Sequence, residues 1–214
     1  MDIEKGSQVL DGLSLVDVHL ARGGRSLIQK LFLEINSGAA IALKGGNGTG
    51  KTTLLRAVAG LVSLDSGRID FRSDGDVMDT LEARRTGVHL LGHQEGLKPT
   101  RTAMQELKFQ CGYLGGSKDG LDRAIDVLNL EPLLDLETRR LSAGQKRRIS
   151  MARLISAPRP LWLLDEPLSP LDSDWRQRVG VMMQDHLANG GMMIAAVHDP
   201  LPVSATLLDL GEYL

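Results

Sequence analysis

The segment from Gly45 to Thr52, GGNGTGKT, constrains the fold of this chain more than any other. It follows the apolar run Ala39–Leu43 and precedes TTLLRAVAGL, whose apolar residues recur at helical spacing. The pattern GxxxxGK[ST] between a strand and a helix is a phosphate-binding loop, because its glycines let backbone N–H groups converge on phosphate oxygens. The lysine is suited to the β- and γ-phosphates and the following threonine hydroxyl to Mg²⁺. The residues expected to hold a nucleotide are Gly45, Gly46, Asn47, Gly48, Thr49, Gly50, Lys51, Thr52 and Thr53.

Strand-like and helix-like segments alternate along most of the chain. Apolar or alternating runs predict strands near Leu13–Leu20, Leu31–Ile35, Ala39–Leu43, Arg68–Phe71, Val88–Leu91, Leu161–Glu166 and Met192–His198. Between Gly96 and Thr138 the apolar spacing becomes helical, which predicts a small insertion. We therefore expect a single α/β domain over residues 1–214, with a parallel sheet covered on both faces. Its core would comprise about 1–95 and 146–214, and its helical subdomain about 96–145.

Composition argues against several classes of function. The formal net charge is −2, from 25 Lys and Arg against 27 Asp and Glu, so no bulk attraction to nucleic acid or anionic lipid is expected. Aromatic residues make up 3% of the chain, too few for the stacking platforms of single-stranded nucleic acid. The single cysteine, Cys111, excludes an internal disulfide. No apolar run reaches the roughly 18 residues that span a bilayer, so we expect no direct membrane insertion.

Polar side chains at the ends of three predicted strands are suited to the same site. Asp165 and Glu166 end LWLLDE, where buried carboxylates are costly unless a cation or a reaction uses them. Asp165 is suited to Mg²⁺, and Glu166 to polarising the water that attacks the γ-phosphate. His198 and Gln94 also follow apolar strands, whose carboxyl ends would face the nucleotide. We expect His198 to contact the γ-phosphate and Gln94 to ligate Mg²⁺ or water, the alternative being ordinary polar strand ends.

A second helix start with the features of an anion site lies at LSAGQ, residues 141–145. Ser142 can hydrogen-bond an anion, Gly144 permits close backbone approach, and the helix start carries the positive end of the dipole. The simpler interpretation is that Ser142 is only a helix N-cap. Because one phosphate-binding loop and one carboxylate pair make one nucleotide site, a second anion-binding surface is useful if it completes the site of another copy.

These motifs resemble, in chain order, those of ABC-transporter ATPase subunits: GGNGTGKT, Gln94, LSAGQ, LLDEP, SPLD ending at Asp172, and His198. The resemblance covers nearly the whole chain. It implies a P-loop NTPase (RecA-like) core of the ABC ATPase type with a small helical subdomain, and ATP with Mg²⁺ as ligands. It also implies a homodimer that sandwiches ATP head to tail, in which one chain contacts its partner's ATP through Ser142, Ala143, Gly144, Gln145 and Asp172.

Finer details resemble the ATPases of the cytochrome c maturation haem system, through RGGR, LGHQ, LSAGQKRR, LWLLDEP and HDP. This resemblance implies ATP hydrolysis for haem export or for release of a haem-loaded chaperone. The implied partners are a CcmB-like integral membrane subunit, with CcmC, CcmD and CcmE nearby. The implied location is peripheral, at the cytoplasmic face of the bacterial inner membrane. Many family members place an aromatic residue upstream of the loop to stack on adenine; here Arg22 is expected to stack through its guanidinium plane.

Other functions remain open at this stage. An ABC ATPase serving lipoprotein release or cluster assembly would carry the same motifs. A soluble P-loop kinase belongs to another class, and LSAGQ and the Asp165–Glu166 pair argue against it. A DNA-repair scaffold of the ABC type would need a long coiled-coil insertion between Gln94 and LSAGQ, and that segment is too short. The basic run Lys146–Arg148 is interpreted as a solvated helix face or as internal ion pairs.

Overall fold

The computed structural model describes residues 9–213, which form nine strands and six α-helices. The predicted domain also included residues 1–8 and 214, which lie outside the described residues. The elements in chain order are β1 (Gly12–Arg22), β2 (Arg25–Asn36), β3 (Ala40–Lys44), α1 (Lys51–Val58), β4 (Ser66–Ser73), β5 (Asp76–Val77), α2 (Thr80–Gly87), β6 (Val88–Leu91), α3 (Ala103–Tyr113), α4 (Lys118–Val127), α5 (Ala143–Ser156), β7 (Leu161–Asp165), α6 (Ser173–Ala188), β8 (Met192–Ala196) and β9 (Thr206–Asp209).

A five-stranded parallel sheet of order β6-β7-β8-β3-β9 is the centre of the molecule. The prediction of a parallel sheet covered on both faces is confirmed, because successive residues of its strands face two different cores. Leu161 and Leu163 of β7 pack in the core that contains α1, whereas Trp162 and Leu164 pack in the core that contains α3 to α6. All the carboxyl ends of these strands therefore meet at one edge.

The first strands form a separate antiparallel sheet of order β2-β1-β4-β5, which the sequence analysis did not distinguish from the parallel one. Gly23 and Gly24 connect β1 to β2 with φ of 59° and 78°. Two consecutive residues with positive φ make the tight hairpin turn that glycine favours. A hairpin requires antiparallel pairing of its two strands. In the sequence, only the turn between β1 and β2 indicated that pairing. The edge strand β9, the short β5 and helix α2 were also not predicted.

The helical segment after β6 consists of α3 and α4 followed by 3₁₀ turns at Glu131–Leu133 and Thr138–Arg140. Its apolar side chains join the core formed by α5, α6 and one face of the parallel sheet. Helix α5 runs without a break across residues 145 and 146, where the sequence analysis divided subdomain from core. That division remains a prediction. Among residues 9–213, none of the helices combines the length and apolarity that a bilayer crossing requires.

Candidate functional site

The loop Gly45–Gly50 turns from β3 into α1 and holds the side chain of Lys51. The N-cap residue of α1, Gly50, has φ of 98°, a left-handed conformation that costs glycine little. Lys51 is buried, and its Nζ donates to the carbonyl oxygens of Gly45 at 2.6 Å and Gly46 at 3.1 Å. Since glycine has no side chain to cap the helix, the first N–H groups of α1 are available to an external acceptor.

A cavity of about 540 Å³ opens over this helix start. Most of the residues predicted to bind ATP line it, and so do both acidic residues that end the neighbouring strand: Arg22, Asn47, Gly48, Thr49, Gly50, Lys51, Thr52, Thr53, Asp165 and Glu166. Gly45 and Gly46 take part by holding Lys51. Leu27 and Arg56 also line the cavity and were not predicted. Leu27 lies on β2 of the antiparallel sheet, far from the loop in sequence, and its position in the cavity could therefore not be predicted from the loop motif.

Thr52 and Asp165 form a cluster of oxygen donors at the base of the cavity. The Thr52 hydroxyl donates to Asp165 Oδ2 at 2.9 Å and approaches Oδ1 at 3.2 Å. Asp165 is 4% exposed and ends β7, directly beside the start of α1. A hydroxyl and a carboxylate suit Mg²⁺, which takes one or two protein oxygens and completes its shell with phosphate and water. The donor set therefore fits the predicted ion.

Glu166 and His198 lie together at the carboxyl ends of β7 and β8. His198 Nε2 is 3.0 Å from Glu166 Oε1, a distance at which a ring N–H donates to the carboxylate. Glu166 has φ of 48°, in the left-handed region that non-glycine residues rarely adopt. Its N–H donates to the carbonyl of Ala196 at 3.0 Å. The unusual backbone turns the chain sharply after β7, and the carboxylate lines the cavity.

Gln94 lies three residues beyond the end of β6 and is exposed. Because β6 pairs in parallel with β7, Gln94 is at the same sheet edge as Asp165 and Glu166. Its side chain is not among those that line the 540 Å³ cavity. The structure thus brings together the phosphate loop, Asp165 and Glu166, with Glu166 paired to His198, and leaves Gln94 at their margin.

The second predicted anion surface forms a separate depression of about 500 Å³. All the residues predicted to contact a partner's ATP line it: Ser142, Ala143, Gly144, Gln145 and Asp172. Ser142 caps α5 in a capping box, with its hydroxyl accepting from the Gln145 N–H at 3.2 Å and its own N–H donating to Gln145 Oε1 at 2.8 Å. A Cβ on Gly144 would lie 2.9 Å from the Pro170 carbonyl oxygen, so the backbone there is closely packed.

Arg147 rules out a solvated face at its position and fits the other interpretation of the basic run, since its Nη1 lies 3.8 Å from the carboxylate of Glu95. It is 1% exposed and donates to backbone carbonyls that surround the site. Nη2 lies 2.7 Å from the oxygen of Asp165 and 3.0 Å from that of Glu166, Nε lies 3.1 Å from Pro167, and Nη1 lies 2.8 Å from Gly92. Burial lowers the pKa of Arg147, while the charges of Glu95, Asp165 and Glu166 oppose that shift. The sequence could have indicated this burial, because Arg147 is spaced to share a helix face with Met151 and Leu154, which are buried.

The sequence profile of the ABC transporter family matches residues 28–169, the stretch that carries the phosphate loop, α5 and the Asp165–Glu166 pair. The chain belongs to the ABC transporter family. This ABC protein therefore binds ATP, and its fold is that of a P-loop NTPase. A cytochrome c biogenesis ATP-binding export protein CcmA of Rhodopseudomonas palustris (strain BisB5) is 45% identical over 190 residues, covering 89% of this chain and 93% of that protein.

Two further similarities extend over nearly the whole chain. The protein of the same name from Maricaulis maris (strain MCS10) is 39% identical over 213 residues, covering 99% of this chain and 95% of that protein. A solved structure described as a putative ABC transporter (ATP-binding protein) from Pyrococcus furiosus superposes with a TM-score of 0.80 at 20% identity. It covers 94% of this chain and 98% of that one. At that identity the superposition shows the fold alone.

Proposed function

We propose that this chain is the ATP-hydrolysing subunit of an ABC complex for cytochrome c maturation, acting in haem export or in release of a haem-loaded chaperone. The observation that carries the proposal is the joining of Lys51, Thr52, Asp165 and Glu166 in one cavity. The relatives at 39% to 45% identity are named for cytochrome c biogenesis, which favours this complex over lipoprotein release or cluster assembly.

ATP binding is assigned to the loop Gly45–Thr53 and the start of α1. The Lys51 ammonium is held beside the loop carbonyls, where it can move onto the β- and γ-phosphates, and a charge-assisted contact of this kind is strong. Arg22 and Leu27 lie in the same cavity as the loop. Arg22 is assigned to the adenine ring, since a planar guanidinium stacks on aromatic systems.

Mg²⁺ is assigned to Thr52 and Asp165, with Gln94 as a further candidate ligand. When bound, the ion neutralises charge on the transferred phosphate group. The Asp165 carboxylate and the Thr52 hydroxyl would supply its protein oxygens, and the 2.9 Å hydrogen bond between them fixes their spacing.

Hydrolysis is assigned to Glu166 with His198. The Glu166 carboxylate accepts a hydrogen bond from water and polarises it for attack on the γ-phosphate. His198, 3.0 Å away, holds one carboxylate oxygen so that the other remains directed at the water. His198 is also the strand-end group suited to contact the γ-phosphate itself.

A head-to-tail homodimer is assigned to the 500 Å³ depression. Its residues share none of the lining of the ATP cavity, so one chain presents two half-sites on separate surfaces. Two copies related by a twofold axis would place Ser142 to Gln145 of each chain over the ATP of the other. Asp172, the N-cap of α6, lines the same depression and is assigned to this contact.

Coupling to a CcmB-like membrane subunit, with CcmC, CcmD and CcmE nearby, is assigned to the helical segment after Gln94. On α3 the rings of Phe109 and Tyr113 stack with centroids 6.1 Å apart, and they are 49% and 81% exposed. Exposed aromatic pairs are typical of protein interfaces. The chain would then act as a peripheral subunit at the cytoplasmic face of the inner membrane. We expect the double variant Phe109→Ser/Tyr113→Ser to be absent from membrane fractions that contain the wild-type protein.

Replacing Glu166 by Gln tests the enzymatic part of the proposal. We expect the Glu166→Gln protein to bind ATP, to accumulate as an ATP-bound dimer and to turn over on the order of 100-fold more slowly, since an amide cannot polarise water as a carboxylate does. Phosphate release and light scattering with ATP measure these effects. Turnover at the wild-type rate would remove Glu166 from the catalytic role.

Replacing Lys51 by Ala in cells tests the pathway. We expect the variant strain to lose covalently haem-bearing c-type cytochromes and to keep b-type cytochromes. Haem staining of membrane and periplasmic fractions after denaturing gels gives the result, with an Arg68→Ala strain as control because Arg68 is an exposed cation on β4, away from the ATP cavity and the helical segment. Normal c-type staining in the Lys51→Ala strain would refute the haem pathway and leave the ATPase assignment intact.

A further inference from the structure

Arg147 is buried at the sheet edge where the carboxyl ends of β6 and β7 meet, and it does not line the ATP cavity. Its guanidinium joins segments that are far apart in sequence. It binds the carbonyl oxygen of Gly92, two residues before Gln94, and those of three consecutive residues at the end of β7 and just beyond it: Asp165, Glu166 and Pro167. Its Nη1 is also 3.8 Å from the carboxylate of Glu95. One side chain of α5 therefore connects the loop that carries Gln94 to the loop that carries Glu166.

The Glu166 backbone needs such a support. A non-glycine residue at φ of 48° is strained and persists only where its surroundings hold it. On one side the Glu166 N–H donates to Ala196, and on the other its carbonyl accepts from Arg147 at 3.0 Å. The peptide groups on both sides of the Glu166 Cα are thus tied, and its carboxylate emerges from a fixed turn.

A buried guanidinium is costly unless its donors are matched. Here the planar fork meets carbonyls in several directions at once, which a lysine ammonium cannot reproduce from a single nitrogen. The same helix begins at Ala143, only four residues before Arg147, at the depression assigned to the partner's ATP. A displacement of the α5 start would therefore reach the Glu166 backbone over about one helical turn.

We propose that Arg147 is a positioning residue for ATP hydrolysis: it sets the Glu166 turn through the carbonyls of Asp165, Glu166 and Pro167, and it makes that turn respond to the partner-facing start of α5. This inference rests on the proposed function and deepens it. Arg147 contacts neither ATP nor water in this role. It acts on the rate of the chemical step through Glu166.

The test compares Arg147→Lys with Arg153→Lys in the full-length chain. Arg153 is a partly buried arginine of α5, its pKa lowered to about 10 by burial, and it donates to the carbonyl of Ser150 in its own helix. We expect Arg147→Lys to keep the wild-type ATP affinity and KM but to lose on the order of 100-fold in kcat, the effect of a small misplacement of a catalytic group. Arg153→Lys should keep kcat close to wild type. Assays run below the melting temperature of every variant.

A second comparison separates positioning from general destabilisation. In the Glu166→Gln background, Arg147→Lys should cause no further loss of residual turnover, because the group it positions is already disabled. Arg147→Gln, a neutral donor of similar polarity, serves if the lysine variant does not fold. A kcat for Arg147→Lys equal to that of Arg153→Lys would overturn the inference, and so would a parallel loss of ATP affinity or an additive loss with Glu166→Gln. Failure of both Arg147 variants to fold would also overturn it, since Arg147 would then be a folding residue.

These outcomes are distinguishable from failure of the proposed function. If the wild-type protein hydrolyses no ATP, or if Glu166→Gln has no effect, the proposed function itself is wrong. If both of those tests succeed and Arg147→Lys behaves like Arg153→Lys, only the positioning role is lost.

Discussion

Two helices of this protein begin at turns suited to a phosphate, and they use their first N–H groups differently. Helix α1 begins after Gly50, and the glycine leaves its N–H groups open to the 540 Å³ cavity. Helix α5 begins at a complete capping box, in which Ser142 and Gln145 bond each other's backbone N–H groups. The capping box satisfies the N–H groups of Ser142 and Gln145 but leaves those of Ala143 and Gly144 for another acceptor.

This difference explains why the N-terminus of α1 forms a phosphate site within one chain, whereas the N-terminus of α5 forms one only together with a second chain. Around α1, a lysine, a hydroxyl and two carboxylates converge within a single chain. Around α5, the depression holds a cap, a small-residue surface, Asp172 and Arg148, with neither a lysine nor the Asp165–Glu166 pair. The Nη1 of Arg148 already donates to the carbonyls of Leu128 and Asn129. A surface of this kind can contact a phosphate that another chain already binds. This is the physical reason for proposing a dimer.

The largest effect is expected from a charge at the start of α5. Ala143→Asp places a carboxylate on an exposed residue, where the helix dipole tolerates it, but opposite the partner's phosphates. Like charges in an interface cost several kcal/mol, so ATP-driven dimerisation and hydrolysis should fail while single chains still bind ATP. Ala143 is a better position than Gly144, whose Cβ would meet Pro170. Light scattering with ATP decides it: a variant that still dimerises contradicts the two-chain site.

The next effect concerns the start of α1. Lys51→Ala removes a charged donor from the phosphates and should weaken ATP binding by about 1.5–3 kcal/mol, the usual worth of such a bond. Fluorescent-nucleotide titration measures it, with Lys108→Ala as the control. An affinity unchanged by Lys51→Ala would mean that the backbone N–H groups of the loop hold the phosphates without the lysine.

A smaller effect is expected at the far end of α5, where His89 Nε2 donates to the carbonyl of Ala157, the C-cap residue. Burial, and then the nearby charges of Arg159, Arg153 and His186, lower the pKa of His89 to about 3. The unfolded state takes up a proton near pH 6.5 and the folded state does not, so stability is complete above pH 6.5 and falls as the pH falls towards 3. At pH 5.5 the loss is on the order of 1 kcal/mol relative to neutral pH.

Chemical denaturation at pH 7.5 and 5.5 measures this loss in the wild-type protein and in His89→Gln, whose amide can still donate to Ala157. The loss due to His89 should disappear in His89→Gln and persist in His93→Gln, since His93 is exposed. An equal pH dependence in all three proteins would mean that His89 does not carry it.

The smallest effect separates capping from function. Thr102 begins α3 with the same capping box, formed with Gln105, that Ser142 makes with Gln145. Ser142→Ala and Thr102→Ala should each cost about 1 kcal/mol of stability. Only Ser142→Ala should also lower turnover. Equal activity in the two variants would leave Ser142 as a cap and nothing more.

Much of the nucleotide site was visible in the sequence because its chemistry is local. The loop needs glycines, a lysine and a threonine at fixed spacing, and β6 and β7 were predicted at or within a residue of their observed bounds. The roles assigned to all the site residues remain predictions, those of Lys51, Thr52, Asp165 and Glu166 included, since a single chain shows their positions but not their ligands.

The residues that sequence analysis missed are those defined by distant contacts. Leu27 reaches the ATP cavity from the antiparallel sheet, whose separation from the parallel sheet was not predicted. Arg147 was placed among solvated or ion-paired charges because it lies in a basic run, and such runs usually face water. Its carbonyl partners lie in the loop after β6, in the last residue of β7 and in the turn that follows β7.

The sequence by itself determined the class of fold, the phosphate loop and the acidic strand end, because each depends on short-range periodicity or on residue types at fixed spacing. Only the tertiary structure decided how the two sheets divide the strands and which arginine of the basic run is buried. It also decided that the five residues of the second anion surface share one depression. The physical reason is that a buried polar group is tolerated only where partners meet it, and those partners come from elsewhere in the chain.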